Sequence, residues 1–470
     1  MAEDTLMVND KKEIFGWAMY DWANSAFSTT IGTVFLAPYV QNLAADAAKV
    51  EFLTRTGTAW SESSGQALIV HLLGIPISPY SFMGYCISLS VLLQVFFLPI
   101  LGAIADYSHM RKMMMQIFAT VGALLTIAMF FVTGSIWWLG GLLFLFANLC
   151  LGASIVFYNA YLPDIASEDQ RDRVSSYGWA MGYLGDFILL ALNLAFFMFH
   201  DKVGIPTELA IRINLASAGI WWLTFSFFTW ERLKPRHARR SLPEKETYLS
   251  IGFKQLGSTI KEMKNYPETM RFLIAYFLYN DGIQTVIAMA STFATAPLLS
   301  GGLELDINSL TIIILVIQFV AFLGALSWGK LASWVGSKQS IIISLVIWVG
   351  VVIYAYFGMR GDGRFIQFLL LGVVIAIVLG GSQAISRSLF AQMIPIGKEA
   401  EFYSFYEVSD RGTSWTGPLV FGLANQFFGS LRYGILSLII YFIIGLVILP
   451  FVNEKKAMED VKKYNASVPG

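Results

Sequence analysis

Apolar stretches of about 20 residues, the length that crosses ~30 Å of hydrocarbon at ~1.5 Å per residue, recur along nearly the whole chain, separated by short polar breaks. Twelve can be placed. The first six lie near residues 14–43, 80–105, 113–134, 136–163, 174–199 and 211–230, and the second six near 271–298, 308–328, 339–358, 365–394, 402–428 and 433–452. The pattern predicts an all-α membrane protein of twelve transmembrane helices in two six-helix halves. Residues 1–13 then form an N-terminal segment, 14–230 the first bundle, 231–270 a linker, 271–452 the second bundle and 453–470 a tail.

Composition agrees with this pattern. Of 470 residues, 56% are hydrophobic and 14% charged, and the mean hydropathy is +0.61, well to the apolar side of an average soluble domain. With an even number of spans both ends share a side, and the Lys/Arg bias chooses it. Termini in the cytoplasm place 23 of the 32 lysines and arginines on that side and seven on the other; Arg387 and Arg411 remain inside spans. A net charge of zero gives no reason to expect a nucleic-acid partner. Cys86 and Cys150 sit in apolar runs without metal-ligand spacing, and residues 1–13 show no signal-peptide pattern.

The long connection before the seventh span has a basic start, expected to rest on anionic lipid, and its "IGFKQLGSTIKEM" is expected to form an amphipathic surface helix. In the outer connection, 44–79, "ALIVHLLGIPI" is too short to span and is expected at the interface. No H-E-x-x-H, G-x-S-x-G or P-loop occurs and the four histidines are scattered, so neither an enzyme, an ATP-driven pump nor a cofactor is expected.

Ionisable groups inside spans cost roughly 2.5–3.5 kcal/mol on insertion scales and face a bundle interior or a wet cavity. On the first span Asp21, Asn24, Ser25 and Ser28 follow i, i+3, i+4, i+7 spacing and form one stripe. That stripe either lines a solute cavity or glues helices together. Asp186 is expected near mid-membrane, with Tyr183 and Asn193 on its face, where it takes up a proton or meets a basic partner. Gly178, Gly182 and Gly185 read as close helix packing. On the eleventh span Glu407, Asp410 and Arg411 share a face, and the tenth carries Ser382, Gln383, Ser386 and Arg387. Arg387 and Asp410 each lie ~12 Å from the same end and are expected to pair, Glu407 being the other candidate, as a static bond or as a gate.

Two internal echoes suggest a duplicated half. "GAIADYSHMRK", with Gly102, Asp106, Arg111 and Lys112, matches "GKLASWVGSK", with Gly329, Ser333 and Lys338. Asp21, Asn24 and Ser25 match Asp281, Gln284 and Thr285. Twelve spans with G-x-x-x-D-x-x-x-x-R-K between the second and third resemble the major facilitator superfamily from about Gly16 to Val452, Tyr107 departing from the usual Arg or Lys of that motif. "YDWANSAFSTT", "FLYNDGIQT", "GGSQAISRSL" and Gly417-Pro418 resemble the branch that holds the autophagy-related vacuolar amino-acid effluxers of fungi and their bacterial relatives.

The resemblance implies two pseudo-symmetric halves that rock around a site formed by spans 1, 4, 5, 7, 10 and 11. The expected activity is secondary active export, by alternating access, of a small polar or zwitterionic solute such as a neutral amino acid. Protons are the expected coupling ion and sodium the alternative, because burial favours the protonated form of a carboxylate. The expected setting is a bacterial plasma membrane with both termini cytoplasmic, the chain being a monomer whose partners are solute and lipid. An exporter of a drug, sugar or lipid-like solute stays open, as does a transport-dead receptor or scaffold. Expected solute or coupling residues are Asp21, Asn24, Ser25, Ser28, Asp186, Asp281, Gln284, Thr285 and Gln383. Expected gating residues are Asp106, Arg111, Lys112, Arg387, Glu407, Asp410 and Arg411.

Overall fold

Where no water reaches the backbone, every N–H and C=O must be satisfied within its own segment, and each of the expected apolar stretches is helical in the computed structural model. The structure describes residues 8–61, 68–107, 109–236, 247, 263–296, 298, 301–361, 363–411 and 416–467. "IGFKQLGSTIKEM" falls almost wholly outside them.

The chain enters through α1 (Lys11–Ala26), capped by the Asp10 side chain on the Lys12 N–H. It then passes through a π-helical segment (Phe27–Phe35) into α2 (Leu36–Thr56), which Gly57 ends at φ 72°. There follow α3 (Pro79–Asp106), α4 (Arg111–Ala128), α5 (Trp137–Asn159), the short α6 (Leu162–Ile165), α7 (Arg171–Phe199) and α8 (Thr207–Arg232). A second group comprises α9 (Pro267–Thr295), α10 (Ile307–Val335), α11 (Ser337–Phe357), α12 (Arg364–Gln392), α13 (Glu399–Arg411) and α14 (Thr416–Phe428). It closes with α15 (Leu431–Ser437), α16 (Ile439–Ile448) and the tail helix α17 (Glu454–Ser467).

Among the described residues nine helices are long and apolar enough to cross a membrane. The other expected spans, the first, sixth and eleventh, coincide with α1 to α2, with α8 and with α13 to α14; polar and charged residues keep the first two below that measure, and α13 and α14, of 13 residues each, are individually too short for it. The "ALIVHLLGIPI" stretch instead holds a hairpin, β1 (Val70–Leu72) and β2 (Ile75–Ile77), with Val70 opposite Ile77. Its two-residue turn, Leu73 at φ 52° and Gly74 at φ 82°, has the positive φ pair whose twist suits flanking strands.

Within the first group α1 packs on α7 and α8, and α4 packs on α5 and α8; between the groups, α7 lies against α10 and α12, and α13 against α3 and α5. The first group keeps its own apolar core around Phe27, Trp137, Phe144 and Trp222. A second core runs from Trp17 and Phe157 through Tyr276 and Phe390 to Trp348 and belongs to both groups.

Both ends of the chain lie on one side, here called the terminal side. The Asn9 N–H donates to the Ile165 carbonyl at 2.9 Å, the Asn453 N–H to Glu268 at 2.9 Å, and the Lys338 ammonium to the Val452 carbonyl at 3.0 Å. The basic stretch after α8 does not simply face lipid: Arg236 is buried and pairs with Glu13 of α1 at 3.0 Å. A buried guanidinium needs such a partner.

The fold yields a test of orientation. With Cys86 and Cys150 replaced by serine, single cysteines at the exposed Thr58 and Ser333 should react with an impermeant thiol reagent from opposite sides of sealed cells, Thr58 from outside and Ser333 only after permeabilisation. Labelling of both from one side would refute this arrangement of spans.

Candidate functional site

Two layers of polar contact join the helix groups on the terminal side. In the outer layer Asp106, at the last turn of α3, accepts the backbone N–H groups of Ala400 at 3.0 Å and Glu401 at 2.8 Å. These belong to the first turn of α13, where unpaired N–H groups and the helix dipole favour a negative charge. Arg111 ties the cluster together, reaching Asp106 at 3.0 Å, Asp164 at 3.0 Å and Glu399 at 3.1 Å. Gly102 makes the approach possible, since a Cβ there would stand 2.5 Å from the Ala400 carbonyl oxygen. Lys112 is half-buried, and of the two basic residues it is Arg111 that bridges the three carboxylates.

The echoed segment repeats the geometry with different chemistry. Gly329 of α10 lies against Ser176 of α7, whose Cβ would be 2.7 Å from a Gly329 Cβ. Ser333, at the position matching Asp106, is exposed, and the contact to the first group is made by the Ser337 hydroxyl, which donates to Asp172 at 2.8 Å.

The inner layer centres on Arg387 of α12. Its guanidinium pairs with Asp21 of α1 at 3.2 Å and donates to the Ser175 hydroxyl at 2.9 Å, the Ser175 carbonyl at 2.8 Å and Asn159 Oδ1 at 3.4 Å. The rings of Trp17, Trp179 and Tyr158 surround it, 4.9, 5.4 and 5.6 Å from the guanidinium carbon, so cation–π attraction replaces part of the lost hydration. Tyr158 also donates to Asp21 at 2.6 Å. Arg387 was expected to meet Asp410 or Glu407. Its anionic partner in the structure is Asp21, and Glu407 joins one step removed, accepting from Asn159 Nδ2 at 2.7 Å. The side chains of Asp410 and Arg411 lie outside the described residues. Equal depth allows a pairing but does not say which helix faces which. Of the three glycines read as packing sites, Gly178 abuts this pair: a Cβ would come 2.6 Å from Asp21 Oδ2.

Deeper in, Asp186 accepts from the Thr29 hydroxyl and from Gln318 Nε2 of α10. The stripe expected on the first span is cut by the π segment, whose wider turn shifts the register. Ser28 is exposed while Thr29 and Thr30 turn toward α7, Thr30 accepting from Asn193 at 3.4 Å. Asn24 donates back to the Tyr20 carbonyl at 2.6 Å, and Ser25 to the Gly182 carbonyl at 2.9 Å. Asp281 does not mirror Asp21: it accepts from Thr416 and from the Gly417 N–H at 2.8 Å, both at the start of α14 within its own group. Thr285 donates to the Asp281 carbonyl at 2.7 Å, Gln284 is half-buried, and Gln383 accepts from Tyr183 of α7 at 3.3 Å.

Sequence reasoning passed over Tyr158, Asn159, Ser175, Gln318 and Glu399. Asn159 and Gln318 carried a usable signal, each an amide within an otherwise apolar span. An apolar groove of about 360 Å³, lined by residues such as Ile127, Phe131 and Ile220 between α4 and α8, lies apart from all these groups.

The Asp21–Arg387 pair predicts a strong sign in a double-mutant cycle. Breaking a buried pair by removing one partner costs about 3–5 kcal/mol, so Asp21→Asn and Arg387→Met should each lower unfolding stability in detergent by that order. The double variant should lose less than either sum; additive losses would mean the two do not support each other.

The chain has counterparts among known proteins. The family described as "Vacuole effluxer Atg22 like" matches residues 9–462. The MFS-type transporter YxiO of Bacillus subtilis is 30% identical over 462 residues, covering 98% of this chain and 99% of that one. Autophagy-related protein 22-1 of Emericella nidulans is 27% identical over 527 residues, covering 92% and 88%. Among solved structures, the proton:xylose symporter XylE aligns with a TM-score of 0.63 at 14% identity over 96% of this chain and 98% of that one. A bacterial homologue of the iron transporter ferroportin, in its outward-facing state, aligns at 0.62 and 12% identity over 95% and 99%. These structures share the major facilitator fold. With a family match that runs almost end to end, this multi-pass integral membrane transporter, which is not an enzyme, belongs to the vacuole effluxer Atg22-like family.

Proposed function

We propose that the protein is a proton-coupled exporter of a small zwitterionic solute, a neutral amino acid, working by alternating access in a bacterial plasma membrane with the terminal side cytoplasmic. The observation that carries this reading is the Asp21–Arg387 pair, one charge from each helix group, with Arg387 buried inside an aromatic box and Asp21 half-buried beside it. Parting the groups breaks the pair and leaves each charge short of its partner. A zwitterion resolves the problem with its own two charges. Its carboxylate can take the guanidinium fork bidentately, and its ammonium can take Asp21 and the faces of Trp17 and Tyr158. The solute thereby replaces the bond that holds the terminal side shut, and each charge stays paired through the exchange. A solute with one charge would leave a partner bare.

Orientation follows from the lysine and arginine bias toward the terminal side. The outer layer sets the balance between states: Asp106 on the α13 N-terminus and Arg111 favour closure of that side, and the same closure shuts the solute path to the cytoplasm.

The reading is tested in proteoliposomes. Labelled L-alanine, L-leucine and L-glutamine should show counterflow without any ion gradient and accumulate when a pH gradient is imposed, whereas Arg387→Met should lose both. Counterflow of sugars or lipid-like solutes in place of amino acids, or binding with no exchange, would overturn it. Asp106→Asn should leave the protein folded, raise reactivity on the terminal side and slow counterflow roughly tenfold, the effect of ~1.4 kcal/mol on the gating step.

A further inference from the structure

Asp186 is the acid that the gate does not use. It sits fifteen residues into α7, about 22 Å along the helix, and is 5% exposed. Its two oxygens have unlike surroundings. Oδ2 accepts from Thr29 and from Gln318, while Oδ1 is buried and has no hydrogen-bond partner. An ionised carboxylate offers four lone-pair sites, and leaving half of them dry in a buried place is costly. A neutral carboxyl fits better: Oδ2 as the carbonyl oxygen takes both donors, and Oδ1 carries the proton.

The charges on the packed elements do not alter this. On α1 the nearest is Asp21, eight residues before Thr29 and tied to Arg387, itself the charged residue of α12 that faces α7. On α8 the charged residues stand near the ends, Arg212 donating to the Phe130 carbonyl and Arg232 lying over Phe15. On α10 Lys330 lies twelve residues beyond Gln318, over Trp334. Along α7 itself Arg171 donates to the Ala391 carbonyl at the terminal end, and Tyr183, one turn from Asp186, donates to Gln383. Among the described residues no cation reaches the Asp186 carboxyl.

Its two donors come from different bodies. Thr29 belongs to the π segment of the first group, the kind of local distortion that recurs at functional sites, and Gln318 belongs to the second group. We propose that Asp186 carries the coupling proton, holding it while Thr29 and Gln318 enclose the carboxyl and the terminal side is shut, and releasing it to water when the helix groups part. Parting withdraws Gln318 and admits water, and both the ionised carboxylate and the freed proton are then solvated. Closing again requires the carboxylate to be neutralised, since the enclosed site would otherwise hold a bare charge. The solute's ammonium does this on the export stroke, and a proton taken from the outer side does it once the solute has left; one proton thus enters for each solute exported. Asp21 needs no proton because Arg387 neutralises it. Asp281 bridges only within its own group, and so does not sense the parting. The inference rests on the proton-coupled reading above and assigns its proton.

The test reads conformation without any solute. In the reconstituted protein with Cys86 and Cys150 replaced by serine, Ser176→Cys places a reporter at the buried contact with Gly329. The exposed Ser333→Cys, labelled in parallel, corrects for thiolate reactivity. The probe is a charged methanethiosulfonate in potassium buffer between pH 5 and 9. The corrected Ser176→Cys rate should rise about tenfold or more with pH, one group titrating. Asp186→Asn, the fixed neutral mimic, should stay at the low-pH rate throughout, and Asp186→Glu should restore a pH response with a moved midpoint. A full pH response in Asp186→Asn would overturn the assignment while leaving proton coupling standing. A wild-type protein with no pH response, or one that responds to sodium in place of pH, would overturn both.

Discussion

A guanidinium cannot shed its charge, and inside a membrane a charge must be matched where it lies. Arg387 meets that constraint with a carboxylate 366 residues away in the chain, and much of the terminal side is arranged by the match. Its guanidinium makes four hydrogen bonds, to Asp21 on α1, Asn159 on α5 and the hydroxyl and carbonyl of Ser175 on α7, so one side chain of the second group holds three helices of the first. Gly178 keeps α7 close enough for this, and the rings of Trp17, Tyr158 and Trp179 take the place of water around the cation. The arrangement is rigid while every charge is paired, and it becomes movable when something else can pair them.

The outer layer works on a different principle. Asp106 is held by backbone N–H groups of a helix start, a fixed dipole that cannot migrate with a side chain. The duplicated segment preserves the close approach, with Gly102 against Ala400 and Gly329 against Ser176, but not the charge, since Ser333 replaces the carboxylate and Ser337 makes the bond instead. Close approach is a property of backbone paths, which a duplicated half inherits through its fold. Bond strength is a property of single side chains, and unequal bonds on the two sides of the pseudo-axis give the terminal closure one strong edge and one weak one.

The π segment accounts for the offset between the Asp21–Arg387 pair and Asp186. A run of nine residues with the wider turn rotates whatever follows it, so the polar face of α1 that meets Arg387 at Asp21 is re-aimed at Asp186 by Thr29. One continuous rod therefore touches both the ion pair and the Asp186 carboxyl, and a change in its winding or tilt is felt at each.

The apolar periods, the helices they form and the superfamily motif were legible in the sequence, because hydrocarbon imposes length and polarity on every span independently of its neighbours; Asp21, Asp106, Asp186 and Arg387 stood out as charges in or beside spans, whereas Glu399 did not. The two amides that complete the sites, Asn159 and Gln318, were visible as polar residues in apolar spans but had no evident partner. Pairing was not legible. Arg387 was matched by depth to the acids of α13, yet Glu407 bonds to Asn159 and Asp21 of α1 pairs with Arg387; depth leaves open the rotation of each helix about its axis and the neighbour it faces. The hairpin at Val70–Ile77 and the burial of Arg236 against Glu13 escaped for the same reason, as did the unlike roles of Asp21 and Asp281 despite their shared pattern. What the sequence determined by itself was which segments cross the membrane and which charges they carry, since each of those follows from local transfer free energy. Only the tertiary structure decided which charge meets which, because that depends on the packing of helices hundreds of residues apart, where a quarter turn of one helix exchanges one partner for another.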